Sequence, residues 1–238
     1  MARVIAAPVS ARARLVAAFV LAFGFAAVQA LDTLPALGVI AAVALLAAGL
    51  SWRELARLRG AVVLACGFVV VLPLIAGETV FARIGPLPLY WEGAQAGALI
   101  AARLLAIVAL TLALLAPVPM LQLVAAMRAL GVPALMADLA LLTLRYMDEV
   151  AAQLARARLA RRLRGGRSGW RALPEHALLL ATSLIRAQAR SEQLWAAMRL
   201  RGYSSGLAAP APPLHARDWG FMAGALVLAL FVLWLDRL

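Results

Sequence analysis

The sequence predicts an all-α, polytopic membrane helix bundle of about five spans, with two long helices that stay outside the lipid. Three observations predict it. Of 238 residues, 65% are hydrophobic and 14% charged, where a soluble domain is about half apolar and about a quarter charged. Apolar runs long enough to cross a bilayer recur along the chain. Every basic residue is arginine, with 23 basic positions and no lysine, and the arginines gather between those runs. A soluble fold of this length could not bury the apolar surface implied by a mean hydropathy of +0.93, so lipid is the expected solvent. The net charge of +12 suggests nucleic acid or anionic lipid, and its placement between apolar spans favours the membrane.

A spanning helix needs roughly 20 mostly apolar residues, and segments 15–31, 34–50, 61–77, 94–116 and 219–235 qualify. The first follows Arg3, Arg12 and Arg14 and ends at Val28-Gln29-Ala30, in outline like a secretory leader with a small-residue cleavage site. A second apolar run follows almost at once, so the first is expected to remain as a transmembrane helix. A tight outer turn around Asp32 and Pro35 joins the two.

Arginine placement orients the bundle. Arg3, Arg12 and Arg14 hold the N-terminus in the cytoplasm, and Arg53, Arg57 and Arg59 put the 51–60 loop there too. The 31–33 turn and the 78–93 loop then fall outside, the latter with Glu78, Pro86, Pro88, Glu92 and the interfacial pair Tyr90 and Trp91. The C-terminus also ends outside. A multi-pass protein of the bacterial inner membrane is expected, with transmembrane helices one to four in 1–117, a cytoplasmic or interfacial region in 118–218 and the last span in 219–238. Segment 134–147 is apolar enough to enter the bilayer in part, which leaves a count of six open.

Region 118–218 holds 14 of the 23 arginines and six acidic residues. Pro117, Pro119, Gly131 and Pro133 punctuate its start. Met120, Leu123, Val124, Met127 and Leu130 recur at helical spacing, which predicts a short amphipathic helix over 120–130 lying in the interface plane. A long helix is expected from Ala134 to Arg164, ending at Gly165-Gly166. A second is expected from Pro174, a favoured first helical position with Glu175 in the first turn, to Arg201, ending at Gly202. Residues 204–218, with Pro210, Pro212 and Pro213, read as a linker.

The two long helices end alike. Ala160-Arg161-Arg162-Leu163-Arg164-Gly165 and Ala197-Met198-Arg199-Leu200-Arg201-Gly202 share the pattern Ala-x-Arg-Leu-Arg-Gly. The alanine and the second arginine stand four residues apart, on one helical face. Helix capping accounts for one such ending, since cations suit a helix C-terminus and glycine closes it. It accounts less well for six positions repeating with five identities in a chain with no wider repeat. The functional reading is that each tip presents a guanidinium to a groove on a partner. Its planar fork grips carboxylates bidentately and stays charged when desolvated.

These residues carry a resemblance. Arg145-Tyr146-Met147-Asp148-Glu149 followed by the first Ala-x-Arg-Leu-Arg-Gly, and Ser183-Leu184-Ile185-Arg186 followed by Glu192 and the second, resemble the transmembrane T component of energy-coupling factor (ECF) transporters, in its CbiQ-type cobalt branch. The motifs cover roughly 130–205, and hydropathy covers the whole chain. The resemblance implies two coupling helices whose arginine signatures insert into grooves on a dimer of ATPase subunits. Those subunits hold the ATP and Mg, and this chain binds no cofactor. It also implies a substrate-binding membrane S component and a small accessory membrane subunit as partners, lipid around them, and no nucleic acid. Carried over, the coupling residues are Arg164 and Arg201, with Leu163, Gly165, Leu200, Gly202, Ala160 and Ala197. Leucine stands where that family often has alanine. The branch resemblance implies Co2+ as cargo, with nickel, biotin or a shared module serving several vitamins left open.

Arg103 lies inside the fourth span, where a charge is costly and functional by default. A structural arginine paired with a neighbouring helix is the favoured alternative. Arg145 and Arg186 occupy matching places on the two long helices, either pairing with Asp148, Glu149 or Glu192 or facing solvent. Met120, Met127, Met136 and Met198 form either an adaptable contact surface or plain core. With His176 and His215 the only histidines and Cys66 the only cysteine, and that inside an apolar run, no soft-ligand set for a transition metal is expected. A Walker-type loop requires a lysine the chain lacks, so ATP hydrolysis belongs to another chain and this one is expected not to be an enzyme. Two further readings stand beside the coupling role: a permease with its own pathway lined by Arg103 and outer-loop carboxylates, and a membrane-embedded enzyme such as a lipid transferase, against which the missing catalytic constellation counts.

Overall fold

The computed structural model describes residues 9–49, 52–75, 77, 79–84, 87–166, 172–203 and 213–237. Arg3, Glu78, Pro86, Pro210 and Pro212, which figure in the sequence reading, lie outside them. Contacts divide the chain into two compact units, 1–126 with 212–238, and 127–211.

The first unit contains α1 (Ala11–Ala26), α2 (Leu34–Ala48), the single turn α3 (Trp52–Leu55), α4 (Leu58–Ile75), α5 (Trp91–Leu115) and α9 (Ala216–Leu235). α5 packs against α1, α2 and α4, and α1 packs against α9. Small residues let the backbones approach, as membrane helices require when lipid offers no hydrophobic drive. Buried positions are mostly alanine, with Phe25, Val28, Leu37 and Val232 filling the centre. Large residues such as Phe23, Leu46, Val63 and Ile75 face outward, as does Cys66 on α4.

Two aspartates fasten α9 to α1. Asp218, fully buried, accepts the backbone N–H of Ser10 at 2.7 Å and of His215 at 3.0 Å. Asp236 accepts those of Gln29 at 2.8 Å and Ala30 at 2.6 Å. The start of α9 therefore lies at the start of α1 and its end beyond the end of α1, so the two helices run parallel. Parallel packing requires an odd number of crossings between them, and α2, α4 and α5 supply three, so α9 crosses in the same sense as α1. A single additional span in 134–147 would have reversed α9.

Among the described residues, α4, α5 and α9 are long and apolar enough to cross a membrane, which makes this a membrane protein. The segments expected as the first two spans form shorter helices, of 16 and 15 residues, about 24 Å and 22 Å long. The chain leaves α1 early because the N–H groups of Gln29 and Ala30 turn to the Asp236 carboxylate, and a 3-10 turn at Leu31–Thr33 follows. Pro35 then opens α2. The loop between α4 and α5 holds β1 (Val80–Ile84) paired antiparallel with β2 (Leu87–Tyr90), a hairpin the sequence reading did not foresee. The Trp91 N–H bonds the Thr79 carbonyl where the hairpin passes into α5.

The second unit is built on α7 (Ala134–Leu163) and α8 (Leu173–Leu200); α6 (Met120–Ala129) leads into it. Of the apolar stripe expected on α6, Val124 is buried while Met120 and Met127 are exposed. α7 runs unbroken for 30 residues and is not among the described helices that are long and apolar enough to cross a membrane. α8 has no buried residue.

Gly24 lies where α1 and α9 come closest: a Cβ there would stand 2.9 Å from the Ala229 Cβ, whereas one at Gly220 would meet nothing. Gly24→Ala is expected to destabilise the chain by about 1–3 kcal/mol through overpacking. Gly220→Ala gains helix propensity and is expected to be neutral or slightly stabilising. Thermal unfolding of the two variants in detergent measures the difference, and equal melting temperatures would show that α1 and α9 do not meet at this point.

Candidate functional site

The repeated hexapeptide folds twice into the same backbone. At the end of α7, Arg164 is the last residue before the chain turns, and Gly165 takes a left-handed φ of +78°. The Gly165 N–H bonds the Arg162 carbonyl at 3.1 Å, and the Gly166 N–H reaches back to Arg161 at 3.0 Å. At the end of α8, Arg201 holds the same place, Gly202 has φ +73°, and the N–H groups of Gly202 and Tyr203 bond Arg199 and Met198, each at 3.0 Å. Both are Schellman caps, which satisfy the otherwise orphaned last carbonyls. Open space surrounds both glycines, so glycine is required there by the backbone angle and not by packing.

This cap leaves the rest of the motif free. Arg164, Arg201, Ala160 and Ala197 are exposed, and Leu163 and Leu200 are 80% and 89% exposed. An isobutyl side chain held that far into solvent beside a guanidinium gives each tip an apolar and a cationic contact together.

Three cross-helix contacts fix where the tips stand. Arg161, in the last turn of α7, pairs with Glu175, in the first turn of α8, at 3.1 Å. Midway, Arg190 pairs with Glu149 at 2.7 Å. Near the start of α7, Asp138 accepts a short hydrogen bond from the Tyr203 hydroxyl. The helices are therefore antiparallel, and the arginine tips stand at opposite ends of the pair. With 28 residues in α8, that separation is about 42 Å.

A cleft of about 600 Å³ opens between α7 and α8, walled by Val150, Leu154, Leu180 and Leu184, with Arg186 among its lining residues. The sequence reading offered Arg145 and Arg186 as partners for nearby acids. Both are exposed, and Arg190, which it did not single out, makes the pair with Glu149. Arg103 is half-buried in α5 and donates from Nη1 to the Ala26 carbonyl at 3.4 Å, at the end of α1, where a cation is favoured by the helix dipole. Among the described residues, no group of three or more His, Cys, Asp and Glu is placed to hold a metal ion.

Sequence reasoning also missed Asp138 and Tyr203. The hydrogen bond to Asp138 raises the Tyr203 pKa above the ordinary tyrosine value, with desolvation and the Asp138 charge acting the same way and Arg128 opposing. A raised folded-state value favours the neutral phenol: its contribution is complete below the ordinary tyrosine pKa and is lost as pH rises through the raised one. Alkaline titration of the solubilised chain by phenolate absorbance is expected to show one late-ionising tyrosine. It should vanish in Tyr203→Phe and move to lower pH in Asp138→Ala; an unchanged titration in Asp138→Ala would rule out the bond.

The family model described as CbiQ, cobalt transport protein, matches residues 5–210, a stretch that includes both arginine caps. No curated protein matches the sequence.

Proposed function

The chain belongs to the CbiQ cobalt transport protein family, and from that premise we propose that it is the energy-coupling transmembrane subunit of an ECF-type ABC importer. It has no catalytic step of its own. The cargo of the system is Co2+, taken up by a separate substrate-binding membrane subunit. ATP hydrolysis occurs on two cytoplasmic ATPase subunits, and this chain links the two activities mechanically.

The observation that carries the reading is the matched pair of capped helix ends. Each presents an arginine beside an exposed leucine, and each ends at a glycine that turns the chain away. A guanidinium in that position suits a carboxylate-lined groove, and the leucine supplies the apolar seat that makes a docked arginine a strong anchor. Tips about 42 Å apart at opposite ends of a hairpin suit two separate subunits better than two grooves on one. Along α7 and α8, Leu135, Leu139, Leu178, Leu184, Ile185 and Trp195 are all more than half exposed. A surface of that kind calls for cover by lipid or by a membrane partner, which agrees with a substrate-binding subunit lying over the hairpin.

The bacterial inner membrane is the proposed location, with the N-terminus in the cytoplasm. Arg12 and Arg14 at the start of α1 support that orientation. The permease reading loses its main residue, because Arg103 is engaged with the end of α1.

Co-purification of the system's ATPase with this chain tests the proposal, comparing wild type with Arg164→Glu, Arg201→Glu and the double substitution. Each single change is expected to weaken capture about ten-fold or more, the scale of a lost charge-assisted hydrogen bond, and the double change to abolish it, with the variants still inserted in the membrane. Undiminished capture by the double variant would return both motifs to ordinary helix caps.

A further inference from the structure

The two tips are not free ends. A terminal turn that nothing holds frays readily, and an arginine on a frayed turn must be ordered again each time it docks, at a cost in affinity. At the first tip, Arg161 donates to Glu175 at 3.1 Å and lies 3.3 Å from the His176 ring nitrogen. Its carbonyl also receives the Gly166 N–H that closes the cap. At the second tip, Tyr203 supplies the N–H that closes the cap on Met198, and its hydroxyl reaches Asp138 in the second turn of α7. The Tyr203 ring stands edge-on to Trp195, with centroids 6.4 Å apart. Asp138 is 2% exposed, the one buried charged side chain among the described residues of this unit.

We propose that these two contacts form a reciprocal latch in which each arginine tip is positioned by the root of the opposite helix: Tyr203–Asp138 sets Arg201, and Arg161–Glu175 sets Arg164. The inference rests on the docking reading of the tips. Its force comes from where the contacts attach. In both cases the residue that reaches across is itself part of the cap, one closing it with a carbonyl and the other with an N–H, so the cross-helix bond fixes the same turn that carries the arginine. Apart from them, α8 buries no residue among those described, and the midway pair of Arg190 and Glu149 is an exposed one of small worth. A phenol is protonated at neutral pH, so the Tyr203 hydroxyl is available as the donor there. Tyr203, Asp138, Arg161 and Glu175 are thus positioning residues, and a displacement of either tip is passed to the base of the other helix.

The test is a set of double-substitution cycles on the full chain, read as capture of the system's ATPase, with membrane insertion measured alongside. Tyr203→Phe keeps the ring and removes the donor, and is expected to weaken capture about five-fold. That loss should persist in the Arg164→Glu background and disappear in Arg201→Glu, where the tip it positions is already disabled. Glu175→Gln should behave in mirror image, losing its effect only with Arg164→Glu. Asp138→Asn retains an acceptor oxygen and is expected to capture near wild type, whereas Asp138→Ala follows Tyr203→Phe. If the arginine substitutions weaken capture while Tyr203→Phe and Glu175→Gln are silent, or cost the same in every background, the latch is overturned and docking stands. Arginine substitutions without effect would overturn the docking reading, and the latch with it.

Discussion

A helix cannot leave its terminal backbone groups unpaired where water is scarce, and this chain meets that demand at several ends with a specific side chain or cap. Asp218 takes the N–H groups at the start of α1 and α9. Asp236 takes those just past the end of α1, and Arg103 answers the last carbonyl of α1. Glycine caps serve α7 and α8. The same devices that satisfy the backbone also bring distant parts of the chain together, so that the order of the bundle follows from how its helices end.

The two units use packing differently. In the first, alanine and glycine at the contacts allow close approach, and the larger side chains turn outward. Dispersion between well-fitted backbones is what such an arrangement gains in lipid. The hairpin of α7 and α8 has almost no interior and relies on three polar cross-contacts. A hairpin so lightly packed keeps both of its faces available, and its apolar side chains are surplus to its own folding.

Much of this was legible in the residues. Apolar runs locate α1, α2, α4, α5 and α9, because lipid asks for composition first and order second. The hexapeptide repeat locates both caps, because only glycine takes the left-handed angle cheaply. The end of α1 was not legible: it depends on Asp236, more than 200 residues away in sequence. The strands at 80–90 were read as loop, although a Gly-Pro dipeptide between two short apolar runs is a turn signal. On the hairpin, Arg145 and Arg186 drew notice through their matching positions, yet the antiparallel register brings Arg190 to Glu149. Asp138 carried a weak signal, as the only acid in the first three turns of an apolar helix. Its partner, just past the end of the other helix, appears only once the two helices are known to run in opposite directions.

Pinning at three levels turns α7 and α8 into a strut. A lone helix of that length curves gently under its environment, and a load at one end is partly absorbed by bending. Here the contacts near the two ends, Arg161–Glu175 and Tyr203–Asp138, oppose a bow of either member away from its neighbour, so the two helices resist bending as a pair. The pair is stiff along its length while remaining soft to anything that slides between its members, and the stiffness comes from five charged residues and one phenol in place of a hydrophobic core.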